Sequence, residues 1–217
     1  MMSKQRIPLV VLVSGSGSNL QAIIDASSNP DYPAEIVAVI SNIEGVKGLE
    51  RAEKAGIPTA VLDHKNFPDR ESYDFALREL IDSYHPEIIV LAGFMRILTD
   101  EFVNTYLGKM LNIHPSLLPK YKGLNTHQKA IDAGDERHGA TVHFVTPDLD
   151  SGPLIIQAEV PVLANDTSES LAARVLEKEH QIYPQAIEWL ASGRISMTDD
   201  GSVLMDNQKL QKPYRLN

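Results

Sequence analysis

Cysteine is absent from the 217 residues, which excludes disulfides, thiol nucleophiles and Cys-ligated metals and fits a reducing compartment. No apolar run approaches the roughly 20 residues that cross a bilayer. The stretch 88–95 is the longest beyond the N-terminus, and residues 7–13, after Lys4 and Arg6, are too short for a secretory signal and end without a cleavage motif. Basic charge is scarce as well. Twenty Lys and Arg stand against 29 Asp and Glu, for a net charge of −9, and no basic stripe carries interleaved aromatics. Nucleic acid is therefore not an expected partner, and neither is a membrane. The overall field will not attract an anion, so an anionic substrate must be held by local donors. There is no His-Glu-x-x-His, and the seven histidines lack metal-ligand spacing, so no metal is expected. A soluble cytoplasmic protein is the class that remains.

What is present is an alternation of short β-branched runs with amphipathic segments. Residues 7–14, 35–41, 59–63 and 87–93 are nearly continuous in apolar side chains, as strands buried on both faces of a parallel sheet require. Between them, residues 19–27, 46–55 and 69–84 read as helices. The third carries Tyr73, Leu77, Leu80, Ile81 and Tyr84 on one face. Further strands are predicted at 110–114, 140–145 and 154–160, and a helix near 126–133. Asp166 with Glu169 has the form of a capping box opening a long helix with Leu171, Val175, Ile182, Ala186 and Leu190 inward. Pro184 inside that helix should kink it. Residues 194–210 read as a hairpin turning at Asp200-Gly201. The fold expected is α/β: a doubly wound, mostly parallel central sheet flanked by helices, with a C-terminal hairpin. One domain over 1–217 is the simplest organisation, with the Gly-rich stretch 14–19 in a first half at about 1–100 and the Asn112 and His114 pair in a second at about 101–217.

Two places carry chemistry. Ser14-Gly15-Ser16-Gly17-Ser18-Asn19 joins a first strand to a helix, where small residues let backbone N–H groups approach an anion favoured by the helix dipole. Leu20 replaces the third glycine of a dinucleotide fingerprint, and Ser41-Asn42 replace its strand-end acid. The Gly-Lys-Ser/Thr of a P-loop and the Gly-x-Ser-x-Gly of a nucleophile elbow are absent too. A monophosphate suits the turn, and a plain tight turn is the alternative. Second, Asn112 and His114 lie two apart in a predicted strand and so share a face. An amide beside an imidazole can grip a carbonyl oxygen gaining charge. The bland alternative is a histidine satisfied by a backbone carbonyl. Asp150, before Ser151-Gly152-Pro153, is an ordinary turn residue unless the fold carries it to His114. Glu177, Glu179 and His180 read by default as a solvated helix face. Lys120 and Lys122, in the loop after His114, are either surface charges or donors for an anion.

These stretches resemble the phosphoribosylglycinamide formyltransferases of purine synthesis, folate-dependent enzymes with a Rossmann-like fold. The likeness is carried by Gly15 to Leu20, Leu91 to Leu98, Asn112-Ile113-His114-Pro115-Ser116-Leu117-Leu118-Pro119, His138 to Val145, Asp148 to Pro153 and Glu179 to Pro184, in order from about Leu9 to Trp189. The resemblance implies transfer of the formyl group of 10-formyltetrahydrofolate to the amine of 5'-phosphoribosylglycinamide. The products are phosphoribosyl-N-formylglycinamide and tetrahydrofolate, in de novo purine biosynthesis. By position it implies that Asn112, His114 and Asp150 are catalytic, with Asp150 raising the pKa of His114. Gly17, Ser18, Asn19 and Glu179 would bind phosphoribosylglycinamide. Arg70, Met95, Arg96, Ile97, Leu98 and Asn112 would bind the folate co-substrate. Asn125 stands where the family often has a histidine, and Ser16 where an asparagine is common.

Three rivals remain. Formyltetrahydrofolate hydrolase uses a similar Asn, His and Asp but normally carries an N-terminal regulatory domain, for which a first strand at Ile7 leaves no room. Methionyl-tRNA formyltransferase carries an extra C-terminal RNA domain, and the acidity here disfavours tRNA. A non-catalytic phosphosugar or folate sensor would have little use for the complete Asn112, His114 and Asp150 set.

Overall fold

The computed structural model describes residues 5–216, which fall into two compact units with the boundary between Leu111 and Asn112. In the first unit the elements are β1 (Ile7–Val13), α1 (Ser18–Ser27), β2 (Ala34–Ser41), α2 (Lys47–Lys54), β3 (Thr59–Val61), a 3-10 turn (His64–Asn66), α3 (Arg70–Asp82), β4 (Ile88–Leu91) and α4 (Asp100–Thr105). The strands are parallel in the order β4-β1-β2-β3, so each connection crosses over by way of a helix. Leu9 to Val13 are fully buried, as expected of a central strand covered on both faces. In α3, capped by the Asp69 carboxylate on Ser72 N at 2.8 Å, Tyr73, Leu77 and Ile81 face the core as their spacing predicted. Asp74 is buried beside them, which periodicity did not anticipate. Helix α4 was also not predicted. Its six residues are too few for a periodic signal, and it is defined by the Thr99 cap and by Asp100 and Glu101 in its first turn.

Strand β5 (Met110–His114) runs across the boundary, and the second unit continues with α5 (Thr126–Asp132), β6 (Arg137–Phe144), β7 (Leu154–Pro161), α6 (Ser168–Ala191), β8 (Ile195–Met197), β9 (Val203–Met205), β10 (Gln208–Lys209) and β11 (Tyr214–Leu216). β6 and β7 are antiparallel, and β11 adds in parallel to β7. The 24-residue α6 runs unbroken through Pro184.

Its start corrects the predicted cap. Thr167, not Asp166, is the N-cap, and it exchanges hydrogen bonds with Ser170 in place of Glu169. Asp166 lies one residue outside and is taken by a bidentate pair to Arg174, both contacts at 2.8 Å, which holds its carboxyl far below the usual range. The tail forms the expected hairpin, β8 on β9, turning at Asp200-Gly201. It then adds β10 through Asp206 and Asn207, both at positive φ as a two-residue hairpin turn demands. Among the described residues, no helix is long and apolar enough to cross a membrane.

Candidate active site

Strand alternation places Asn112 and His114 on one face of β5, while Leu111 and Ile113 are buried on the other. The loop that follows is stitched to β6 and β7 by buried polar groups. Thr141 Oγ donates to Ser116 O at 2.7 Å and accepts from Leu118 N, and Gln157 Nε2 donates to Leu118 O at 2.8 Å. Both side chains are fully or almost fully buried, so each bond replaces one that water cannot supply. This loop delivers the Tyr121 carbonyl to His114 Nε2 at 2.8 Å. The other nitrogen, Nδ1, lies 3.4 Å from Asp150 Oδ2. Both nitrogens thus face oxygen acceptors, which only a ring with two N–H groups satisfies in full. At 3.4 Å the Nδ1 contact is an ion-pair distance rather than a short hydrogen bond, and that N–H can still be shared with a third atom.

Asp150 reaches His114 because its own backbone is held in the left-handed region, φ 47°, an unusual conformation for a non-glycine residue. Two residues on, Gly152 packs directly on the β6 backbone, and a Cβ there would lie 1.8 Å from Phe144 O. Asp150 Oδ2 also accepts from Gly123 N at 2.9 Å, tying both loops to one carboxylate.

A fourth side chain, His143 on β6, escaped the sequence reading. Its Nδ1 lies 2.8 Å from Phe144 O and must donate to it, and burial lowers its pKa so that the ring stays neutral. Nε2 is then an acceptor and takes one N–H of the Asn112 amide at 3.4 Å. The amide is oriented, with its second N–H left for a ligand. His143 Nε2 is also 4.0 Å from Asp150 Oδ1, so Asn112, His114, His143 and Asp150 form one cluster. No pattern within its own strand marks His143, since its partner Asn112 lies 31 positions earlier.

The remaining predicted residues lie as follows. Gly17 is the N-cap of α1 at φ 66°, and no side chain caps the helix there. A helix start leaves backbone N–H groups without intrahelical acceptors, which is the property an anion site needs. Met95 and Ile97 are exposed, Leu98 is buried, and residues 94–99 have no regular structure. Arg96 lies over the Tyr73 ring at 4.9 Å. Arg70, the first residue of α3, is exposed beside a cavity of about 430 Å³ also lined by Asp74, Phe75, Arg78, Thr99 and Phe102.

One default reading is corrected. Glu179 is 7% exposed, so it is no part of a solvated face. Both loop cations are exposed, Lys120 paired with Asp135 at 2.5 Å and Lys122 donating to Ser151 Oγ. Asn125 adopts φ 59°, a left-handed position that asparagine tolerates better than most residues. Among the described residues, no group of three acids or histidines could hold a metal ion.

Comparison with known proteins decides the family. The formyl transferase family model matches residues 7–187. The phosphoribosylglycinamide formyltransferase of Escherichia coli (strain K12) is 54% identical over 202 residues, which are 93% of this chain and 95% of that one. The chain belongs to the phosphoribosylglycinamide formyltransferase family. The family's solved structures include one from Coxiella burnetii, which superposes with a TM-score of 0.93 at 48% identity and covers 98% of this chain and all of that one. That likeness shows the family's α/β fold, with its mostly parallel central sheet and flanking helices. The human trifunctional purine biosynthetic protein adenosine-3 is 46% identical over 200 residues, which are 92% of this chain and 20% of that one.

Proposed function

We propose that this protein transfers the formyl group of 10-formyltetrahydrofolate to the amine of 5'-phosphoribosylglycinamide, forming phosphoribosyl-N-formylglycinamide and tetrahydrofolate in de novo purine biosynthesis. The observation that carries the reading is the Asn112, His114, His143 and Asp150 cluster in a chain of this family. The amine attacks the formyl carbon and a tetrahedral oxyanion develops. The second N–H of Asn112 and the shared Nδ1–H of His114 stabilise that oxygen, while the Asp150 carboxylate, 3.4 Å from Nδ1, holds the ring in place. No covalent enzyme intermediate forms. A proton passes from the attacking nitrogen to the departing folate nitrogen through water or His114. Gly17, Ser18 and Asn19 take the phosphate, and Glu179 takes the glycinamide or ribose portion. Arg70 and residues 95–98 hold the folate, the latter mainly through backbone. Residues 1–217 act as one domain, in the cytoplasm, on small molecules alone, with neither nucleic acid nor membrane as partner.

The test mixes purified protein with a 10-formyl folate in the presence and absence of phosphoribosylglycinamide. Deformylation that requires the amine supports transfer. Deformylation without it assigns the hydrolase, and stoichiometric binding without turnover assigns a sensor.

A further inference from the structure

The segment that follows β4 is pinned at both ends by buried side chains to which no part of the reaction is assigned. At its entry, Met95 N donates to Ser14 Oγ at 2.8 Å, and Ser14 N donates to Gly93 O at 3.1 Å. Ser14 Oγ in turn donates to Asn42 Oδ1 at 2.5 Å, which leaves the Asn42 amide nitrogen 3.3 Å from His64 Nδ1. The His64 ring stands edge-on to Tyr73, whose face carries Arg96. At its exit, Thr99 N donates to Asp74 Oδ2 at 2.6 Å. Ser14 is 7%, Asn42 2% and Asp74 3% exposed, so these bonds form away from competing water. Burial raises the carboxyl of Asp74, a cost that an incidental surface contact would not carry. Between the two pins, the backbone of residues 94–99 makes neither helix nor strand, and the side chains of Met95 and Ile97 point into solvent. Met95 N and Thr99 N are taken by the two pins, and residues 96–98 between them belong to no helix or strand ladder.

We infer that Ser14, through Asn42, and Asp74 are positioning residues that clamp residues 95–98 in the conformation that receives the folate. This rests on the reading above that the segment holds that co-substrate.

The experiment compares the full-length protein with Ser14→Ala and Asp74→Ala, and with the conservative Ser14→Thr and Asp74→Asn, which keep the hydroxyl or the acceptor. Steady-state KM for each substrate is measured together with hydrogen exchange of peptides covering residues 93–99. Loss of one such bond should raise the folate KM about tenfold, with the KM of the amine substrate changed less than twofold. Exchange across 94–99 should speed up without ligand, and the conservative variants should recover most of the loss. Unchanged ligand-free exchange and unchanged folate KM in both alanine variants would overturn the clamp. If one alanine variant does not fold, the other decides. Failure of a folate analogue to protect residues 94–99 in the unmodified protein would overturn the folate assignment instead, and the ligand-free exchange would still judge the clamp.

Discussion

The imidazole of His114 is held between two oxygens, with Nε2 2.8 Å from Tyr121 O and Nδ1 3.4 Å from the Asp150 carboxylate. The shorter bond sets the ring's orientation, and the longer leaves Nδ1 able to share its proton with a developing oxyanion. Replacing His114 by alanine should lower kcat by about 10² to 10³, with KM for both substrates largely retained, since such a donor acts in the transition state. Near-wild-type turnover would remove His114 from the mechanism.

Asp150→Asn keeps an acceptor for Gly123 N but removes the charge beside His114. We expect kcat to fall at least tenfold while the circular dichroism spectrum is unchanged. Equal loss of kcat and fold would mean that the carboxylate serves only the loops.

His143 should matter although it need touch no substrate. In His143→Ala the half-buried Asn112 amide loses the acceptor that orients it. A five- to twentyfold drop in kcat with unchanged KM is expected. In the double variant with Asn112→Ala the two losses should not add, because they act through the same amide. Additive losses would separate His143 from Asn112.

Gly17 combines a left-handed φ of 66° with a backbone contact, since a Cβ there would meet Gly48 Cα at 2.6 Å. Gly17→Ala must push α1 and α2 apart or unwind the turn, with a cost on the order of 1–3 kcal/mol from the strained φ alone. Thermal denaturation should show the loss, and a surviving fold should show a raised KM for the phosphorylated substrate. Gly15→Ala, with nothing within 4 Å of its Cβ, is the control.

The pair His127 and His138, 3.1 Å apart in the second unit, predicts how stability depends on pH. Burial lowers both, His138 to about 4 from an ordinary 6.5, and His127 and His114 add repulsion that Asp135 only partly offsets. The folded state therefore binds fewer protons than the unfolded chain between pH 6.5 and 4. The stability these neutral rings allow is complete above pH 6.5 and is lost as pH falls toward 4, by on the order of 2–3 kcal/mol for His138. Urea midpoints at pH 7.5, 6 and 5 check this, because the carboxylates that titrate low contribute mainly below that range. His138→Gln should flatten the slope, and an unaltered slope would show the rings are not its source.

Much of this was legible in the letters. The β-branched runs read as strands, although the edge strand β3 is not covered on both faces, and the helices between them follow from 3.6-residue periodicity. Strand parity put Asn112 and His114 on one face before any coordinates. Short elements were not legible: α4 and β11 have too few residues for a period and exist through a cap or a neighbouring strand. Glu179 looked like surface because its burial depends on what packs over α6.

Sequence by itself determined the alternating strands and helices, the tight Gly-rich turn at Gly17 and the polar pair at the end of β5, because these depend on bonds and spacings within a few residues. Only the tertiary structure decided that Asp150 meets His114 and that His143 steers Asn112. Those contacts span 36 and 31 positions of chain, and nothing local to a residue records which distant strand will lie beside it.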